Sequence, residues 1–334
     1  MASLSSRVLL LVASALGHRM GYRDLDEVRR KVERQQRRPA VFGPPKRLDR
    51  HCRVTAHFRH GWPCYEVVPR DGAVRRQVLY LHGGAYIEEI GDNHWNLVEE
   101  LVTSGAARVV VPVYPLAPRG TASAVVPELT VLAGRLTGEG TAPTVFMGDS
   151  AGGGMAVTLA QRLRDTGGTP PDQLVLISPW LDLVLDNPGI AGLQPHDPML
   201  ATEALRYCGA LWAGELELAD PWVSPLNGDL AGLPRTTVFA GTRDILTADA
   251  RRFRDLAARE GVDVDFAEGV GQIHVYPLWP TAEGHQARRH LLASLPGPEP
   301  SRHSSLAGPD GARRSPRRSL PRDRIRELLA HRGR

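Results

Sequence analysis

The chain has 334 residues, 42% of them apolar, enough to fill one large α/β core with a small lid or two modest domains. Its formal charge of +4 misleads about partners, because residues 297–334 hold ten arginines against four acidic residues, a net of +6 that leaves −2 for everything before them; a near-neutral body gives no reason to expect nucleic acid. The three cysteines, Cys52, Cys64 and Cys208, show no C-x-x-C or metal-ligand spacing, which speaks against a disulfide framework or a zinc site and fits a reducing cytoplasm.

In chain order, Arg7 precedes an apolar run, Val8 to Gly17, as long as a signal-peptide core but too short to span a bilayer. Leu4, Val8, Leu11, Val12, Ala15 and Leu16 recur at helical spacing, so an amphipathic helix packed on the body through that stripe is preferred over a cleaved signal. Two β-prone runs, Cys52 to Phe58 and Tyr65 to Pro69, flank the turn-like Gly61-Trp62-Pro63 and predict an antiparallel hairpin. Apolar runs then alternate with helical stretches: Val78 to Leu81, Val109 to Tyr114, Thr144 to Met147, Leu174 to Ile177, Thr237 to Ala240 and Val262 to Phe266. Runs this apolar suit strands buried on both faces, and Ala151 to Arg164 and Ala248 to Glu260 carry helical periodicity, so the pattern predicts a mostly parallel sheet covered by helices. From Asp182 to about Leu233 the rhythm breaks around a helix-like run, Ala201 to Trp212, and the interval reads as an insertion. The Pro/Ser/Gly/Arg-rich tail reads as solvated and disordered, with a short helix expected at Arg322 to Arg332.

The chemistry-bearing motif is Gly148-Asp149-Ser150-Ala151-Gly152. It follows an apolar strand and opens a helix, placing Ser150 on a sharp strand-to-helix turn where its hydroxyl can meet an acyl carbon. Gly148 and Gly152 are required there because a Cβ would strike the neighbouring strand or helix. G-x-S-x-G is weak evidence alone; the strand before it and the helix after it give it weight. His82-Gly83-Gly84-Ala85 directly follows the strand ending at Leu81, so the N–H groups of Gly83 and Gly84, with that of Ala151, are the expected oxyanion donors. His82 is expected to fix that loop and not to act as base. In a Ser, acid, His order, Asp244 in Gly241-Thr242-Arg243-Asp244 fits the acid and His274 in Gly271-Gln272-Ile273-His274 the base. Asp249 reads as a solvated or capping residue, Asp263 and Asp265 as the start and outer face of a strand, His285 as a surface residue, and His196 as out of order. Trp180, Trp212 and Trp222 read as lid core as readily as pocket lining.

Together with Tyr114-Pro115-Leu116-Ala117-Pro118, Asp220-Pro221-Trp222-Val223-Ser224-Pro225-Leu226 and Gly232-Leu233-Pro234, these motifs resemble the hormone-sensitive lipase family of α/β-hydrolases, which includes microbial carboxylesterases and arylacetamide deacetylases. The resemblance spans about residues 75 to 293. It implies an α/β-hydrolase fold with an eight-stranded sheet and a helical cap drawn from residues 1–48 and 183–225. The catalytic domain would then be 49–182 and 226–295, with the tail at 296–334. Two positions depart from the family pattern: Ala85 replaces a third glycine, which puts bulky tertiary alcohols in doubt, and Arg119-Gly120 replaces the acidic residue after Leu-Ala-Pro.

The implied activity is carboxylesterase: a serine esterase with a catalytic triad of Ser150, Asp244 and His274, forming an acyl-enzyme and needing neither cofactor nor metal. The expected partner is a small-molecule ester, of short to medium acyl length, and the chain is expected to be cytoplasmic, as a monomer or homodimer. Membrane association and secretion are the less favoured alternatives. A lactonase or aryl-amide hydrolase would use the same machinery. A non-catalytic ligand-binding member of the fold would be expected to have lost the base, and His274 is present.

Overall fold

The computed structural model describes residues 3–59, 61–138 and 142–297. The expected basic tail and its short helix lie outside the described residues from 298 onward. Two helices, α1 (Leu4–Met20) and α2 (Leu25–Arg37), precede the hairpin β1 (Cys52–Arg59) and β2 (Trp62–Pro69). Then follow β3 (Arg76–Leu81), α3 (Asp92–Thr103), β4 (Ala107–Pro112), α4 (Ala122–Gly138), β5 (Thr144–Asp149), α5 (Ala151–Asp165) and β6 (Gln173–Ile177). The inserted segment carries the short α6 (Ile190–Leu193) and α7 (Thr202–Ala213), after which β7 (Thr236–Arg243), α8 (Thr247–Arg259), β8 (Val264–Ile273) and α9 (Ala282–Ser294) complete the fold.

The strands form one eight-stranded sheet in the order β1-β2-β4-β3-β5-β6-β7-β8. Pairings β1 to β2 and β2 to β4 are antiparallel and the rest parallel. Alternation explains the unbroken apolar runs. Val78, Tyr80, Val145, Met147, Val175 and Ile177 share a core with Trp95 and Leu101 of α3 and Leu291 of α9. Their sequence neighbours Leu79, Leu81, Phe146, Leu174 and Leu176 share the opposite core with Leu129 of α4, Met155 of α5 and Phe253 of α8. A strand covered on both sides has no polar face, and each such side chain contributes about 1.5–3 kcal/mol on burial.

Three expectations need correction. The hairpin turn is tighter than predicted: Arg59 pairs with Trp62, so Trp62 and Pro63 already belong to β2. The last two strands run further, to Arg243 and Ile273. β8 is an edge strand with one neighbour, and its exposed stretch, where Val270 is 79% accessible, lacks the hydrophobic signal of a buried strand. Finally, α1 docks through a different face. Ser6 and Ala13 are buried and Leu9 and Leu10 pack on the core, whereas Leu4, Val8, Leu11 and Val12 are exposed. Polar anchoring accounts for this: the hydroxyls of Ser3 and Ser6 both donate to Glu283 of α9, each at 2.6 Å. In a helix apolar on more than one side, periodicity alone does not pick the buried stripe.

The residue linking α1 to α2 meets the inserted segment. Tyr22 pairs with Leu200 in a single parallel bridge, its N–H donating to Met199 O and its carbonyl accepting from Ala201. Among the described residues no helix is long and apolar enough to cross a membrane.

Candidate active site

Ser150 sits between β5 and α5 with φ 51° and ψ −120°, a left-handed conformation that costs a non-glycine residue on the order of 1–3 kcal/mol. Its surroundings enforce it. The Ser150 N–H is tied to Ile177 O on the next strand at 2.8 Å. A Cβ at Gly148 would lie 2.2 Å from Gly152 O, and one at Gly152 would lie 2.0 Å from Leu81 O. The chain therefore doubles back as tightly as the motif predicts, and for the predicted reason.

Asp244 follows β7 directly and His274 follows β8. The structure brings both to Ser150. His274 Nε2 is 3.0 Å from Ser150 Oγ, and His274 Nδ1 is 2.8 Å from Asp244 Oδ2. An ionised carboxylate only accepts, so Nδ1 carries the ring proton and Nε2 is free to accept from the serine hydroxyl. All three side chains are buried. Burial works against a charged imidazole, but the charge and hydrogen bond of Asp244, with Asp197 and Asp149 beyond, leave the His274 pKa raised. The base loop is pinned by long-range bonds: Val275 N–H donates to Ser178 Oγ at 3.0 Å and Trp279 Nε1 to His274 O at 3.1 Å. Val275 is itself left-handed, at φ 48°, a strained conformation for a β-branched residue.

The loop after β3 departs in part from expectation. Gly83 N–H donates to Asp149 Oδ1 at 3.1 Å and so is already committed within the protein. A Cβ at Gly83 would lie 2.3 Å from Asp149 Oδ2 and 3.0 Å from Ser150 Cβ, so glycine is needed here for close approach to the elbow. The N–H groups of Gly84, Ala85 and Ala151 have no acceptor among the described residues. Ala85 adopts φ 49°, a conformation that glycine takes more readily than alanine.

Asp149 is the centre of a buried network that its place in the motif does not announce. Tyr80 donates to its Oδ1 at 2.7 Å. His94 Nδ1 accepts from Gly91 N–H, so His94 Nε2 carries the proton that points at Asp149 Oδ2, 3.2 Å away. Burial alone would raise the Asp149 pKa, but the His94 charge and the bonds from His94, Tyr80 and Gly83 hold it below the ordinary value. His82 is fully buried and stacks on Tyr114, with ring centroids 4.4 Å apart. Burial, reinforced by the charge of His94, pushes its pKa down to about 4.

Ser150 and His274 open on a cavity of about 330 Å³ whose other walls include Tyr22, Glu88, Glu89, Met199 and Trp279. Glu88 pairs with the buried Lys31 at 3.3 Å and accepts from the Tyr22 hydroxyl. Glu89 accepts from Gln35 at 2.9 Å, and burial pushes its pKa up to about 7 despite that bond. None of these wall residues belongs to a motif, and so none was foreseen. Of the three tryptophans near the insertion, Trp180 and Trp212 are fully buried core and none lines this cavity. Asp249 is not solvated. It is buried, with Oδ1 accepting from Asn187 at 2.8 Å and Oδ2 without a donor, and burial pushes its pKa up to about 6. The side chains of His196 and His285 are exposed. Asp265 pairs with His290 at 2.8 Å on the outer face. Among the described residues no group of three or more His, Cys, Asp or Glu could hold a metal ion.

A mostly parallel sheet carrying a serine elbow between its fifth strand and following helix defines the class. Residues 78–278 match the family described as the alpha/beta hydrolase fold, and the chain belongs to it. It is similar to an acetyl-hydrolase of Streptomyces hygroscopicus, with 33% identity over 218 residues covering 64% of this chain and 72% of that protein. An esterase of Acinetobacter venetianus is 32% identical over 217 residues, again covering 64% and 72%. The crystal structure of an esterase from the bacterial hormone-sensitive lipase family superposes with a TM-score of 0.71 at 26% identity, over 88% of this chain and 98% of that one. The resemblance carried by the motifs extends through the fold.

Proposed function

We propose that this chain is a carboxylic ester hydrolase that cleaves short- to medium-chain acyl esters through Ser150, His274 and Asp244. The observation that carries the reading is the continuous hydrogen-bonded path from Asp244 through His274 to Ser150, which shares a cavity with Gly84. Names of relatives as esterase and acetyl-hydrolase support the bond type. The cavity lies near the lower end of the roughly 300–1,000 Å³ usual for small-molecule sites, which favours shorter acyl groups.

Ser150 Oγ attacks the ester carbonyl carbon as its proton passes to His274 Nε2, and the carbonyl oxygen becomes an oxyanion. Gly84, Ala85 and Ala151 N–H groups are the donors proposed to hold it. Ala85 takes the place expected for Gly83, whose N–H serves Asp149. The C–O bond then breaks, the alcohol leaves with the proton from His274, and the acyl group remains on Ser150. Water, deprotonated by His274, repeats the sequence and releases the acid. Asp244 fixes the tautomer and stabilises the imidazolium. Because the base must be neutral to accept the serine proton, kcat/KM should fall on acidification through an apparent pKa above the ordinary imidazole value.

Residues 1–48 and 183–225 are proposed to form the cap, supported by Tyr22 and Met199 both bordering the cavity, and 49–182 with 226–295 the catalytic body. The test is hydrolysis of p-nitrophenyl esters from acetate to palmitate by the wild type and by Ser150→Ala. Turnover that peaks at short or medium chains and vanishes in the variant is expected; turnover indifferent to Ser150 would refute the reading.

A further inference from the structure

The inserted segment reaches the catalytic acid through one side chain. Asp197 has no exposed surface. Its Oδ1 accepts from Met199 N–H at 2.8 Å and Leu200 N–H at 2.9 Å, bonds that shape its own turn. Its Oδ2 accepts from Ile245 N–H at 2.9 Å, the amide next after Asp244. An asparagine could make the two local bonds with one oxygen and would avoid the cost of burying an acid. Only the bond to Ile245 demands a second acceptor oxygen, and that bond belongs to the acid loop.

We propose that Asp197 is a positioning residue for the Ser150, His274 and Asp244 relay, fixing the backbone that carries Asp244 by accepting from the Ile245 amide. The proposal rests on the serine-hydrolase reading above. Charged groups facing His274 are Asp244 on the β7 to α8 loop, Asp197 on the inserted segment and Asp149 in the elbow; the charge acting on Asp197 is that of Asp244. Burial first, and then the Asp244 charge, push the Asp197 carboxyl up to about 7, as expected where two acids share a dry site. The arrangement makes the inserted segment part of the catalytic chemistry as well as of the pocket wall. The same turn continues into Leu200, which pairs with Tyr22, so the N-terminal helices are linked to the acid loop through two residues.

The test compares wild type with Asp197→Asn and Asp197→Ser by kcat and KM on p-nitrophenyl esters across pH, and by the rate at which a fluorophosphonate labels Ser150. Both variants should fold, as judged by circular dichroism. Each should lose on the order of ten- to a hundredfold in kcat and labelling rate, with KM changed by about twofold or less. Unchanged kcat, a loss confined to KM, or failure of both variants to fold would overturn the proposal. Wild-type protein that labels at Ser150 yet turns over no ester would refute the ester reading while leaving the labelling profiles to decide Asp197; absence of labelling would overturn both.

Discussion

Ser150 is held by near neighbours: glycines two residues to either side, and a backbone bond to the adjacent strand. Asp244 and His274 are held from afar, the acid loop by Asp197 of the inserted segment and the base loop by Ser178 after β6. The proposed nucleophile side is thus a steric construction, in which the forbidden change is an added atom. The acid and base side is a polar construction, in which the damaging change is a lost acceptor.

Perturbing each side in turn sharpens this contrast. The largest effects concern the reacting groups themselves. Ser150→Ala should cost roughly 10⁴- to 10⁶-fold in kcat, and Asp244→Asn about 10⁴-fold with the fold intact, because the wrong tautomer of His274 is then held. Single-turnover hydrolysis of p-nitrophenyl acetate checks both, and a mere tenfold loss in Asp244→Asn would break the claim that the polar side must be fixed. Next comes the steric side. Gly152→Ala forces a Cβ within 2.0 Å of Leu81 O and should destabilise by about 3 kcal/mol or more. Gly192→Ala, where nothing lies within 4 Å, should not; urea midpoints distinguish them.

Smaller effects test buried polar groups beyond the relay. Asp249, with its pKa pushed up to about 6, binds its proton more tightly folded than unfolded, so its contribution to stability falls as pH rises from about 4 past 6. Asp249→Asn should therefore leave stability nearly unchanged near pH 4 and raise it by on the order of 2 kcal/mol at pH 8, as read from melts at the two pH values. The smallest expected change is at Val275, whose left-handed backbone suits asparagine better. Val275→Asn should gain about 1 kcal/mol in denaturant unfolding, which would show that the base loop stores strain much as the elbow does.

The same division separates what the sequence displays from what only the folded chain brings together. Strands buried on both faces announce themselves by composition, and the elbow is written in five consecutive residues, so Ser150, Gly148 and Gly152 were all legible with their reasons. That Asp244 and His274 follow successive strands is legible from the sequence, and the structure brings both to Ser150. Gly83 reads as an oxyanion donor, whereas its N–H serves Asp149 through a contact between residues 66 positions apart. Asp197 and Glu89 carry no motif, and Asp249 looked like an ordinary helix-start acid; their burial follows from how the inserted segment and α2 settle on the body. The docking face of α1 departs from its apolar stripe because two serines bond to Glu283.

The pairing of Tyr22 with Leu200 has a consequence for the history of each molecule. During synthesis from the amino end, α2 emerges early with Val28 and Val32, which are buried in the finished protein, and Tyr22 must wait for a partner made only after β1 to β6. The elbow is complete by then, and loop closure over so long a stretch adds entropy only logarithmically. The walls supplied by His274 and Trp279 are made later still, so a newly made chain passes through a stage in which the Ser150 turn exists without the walls that enclose it.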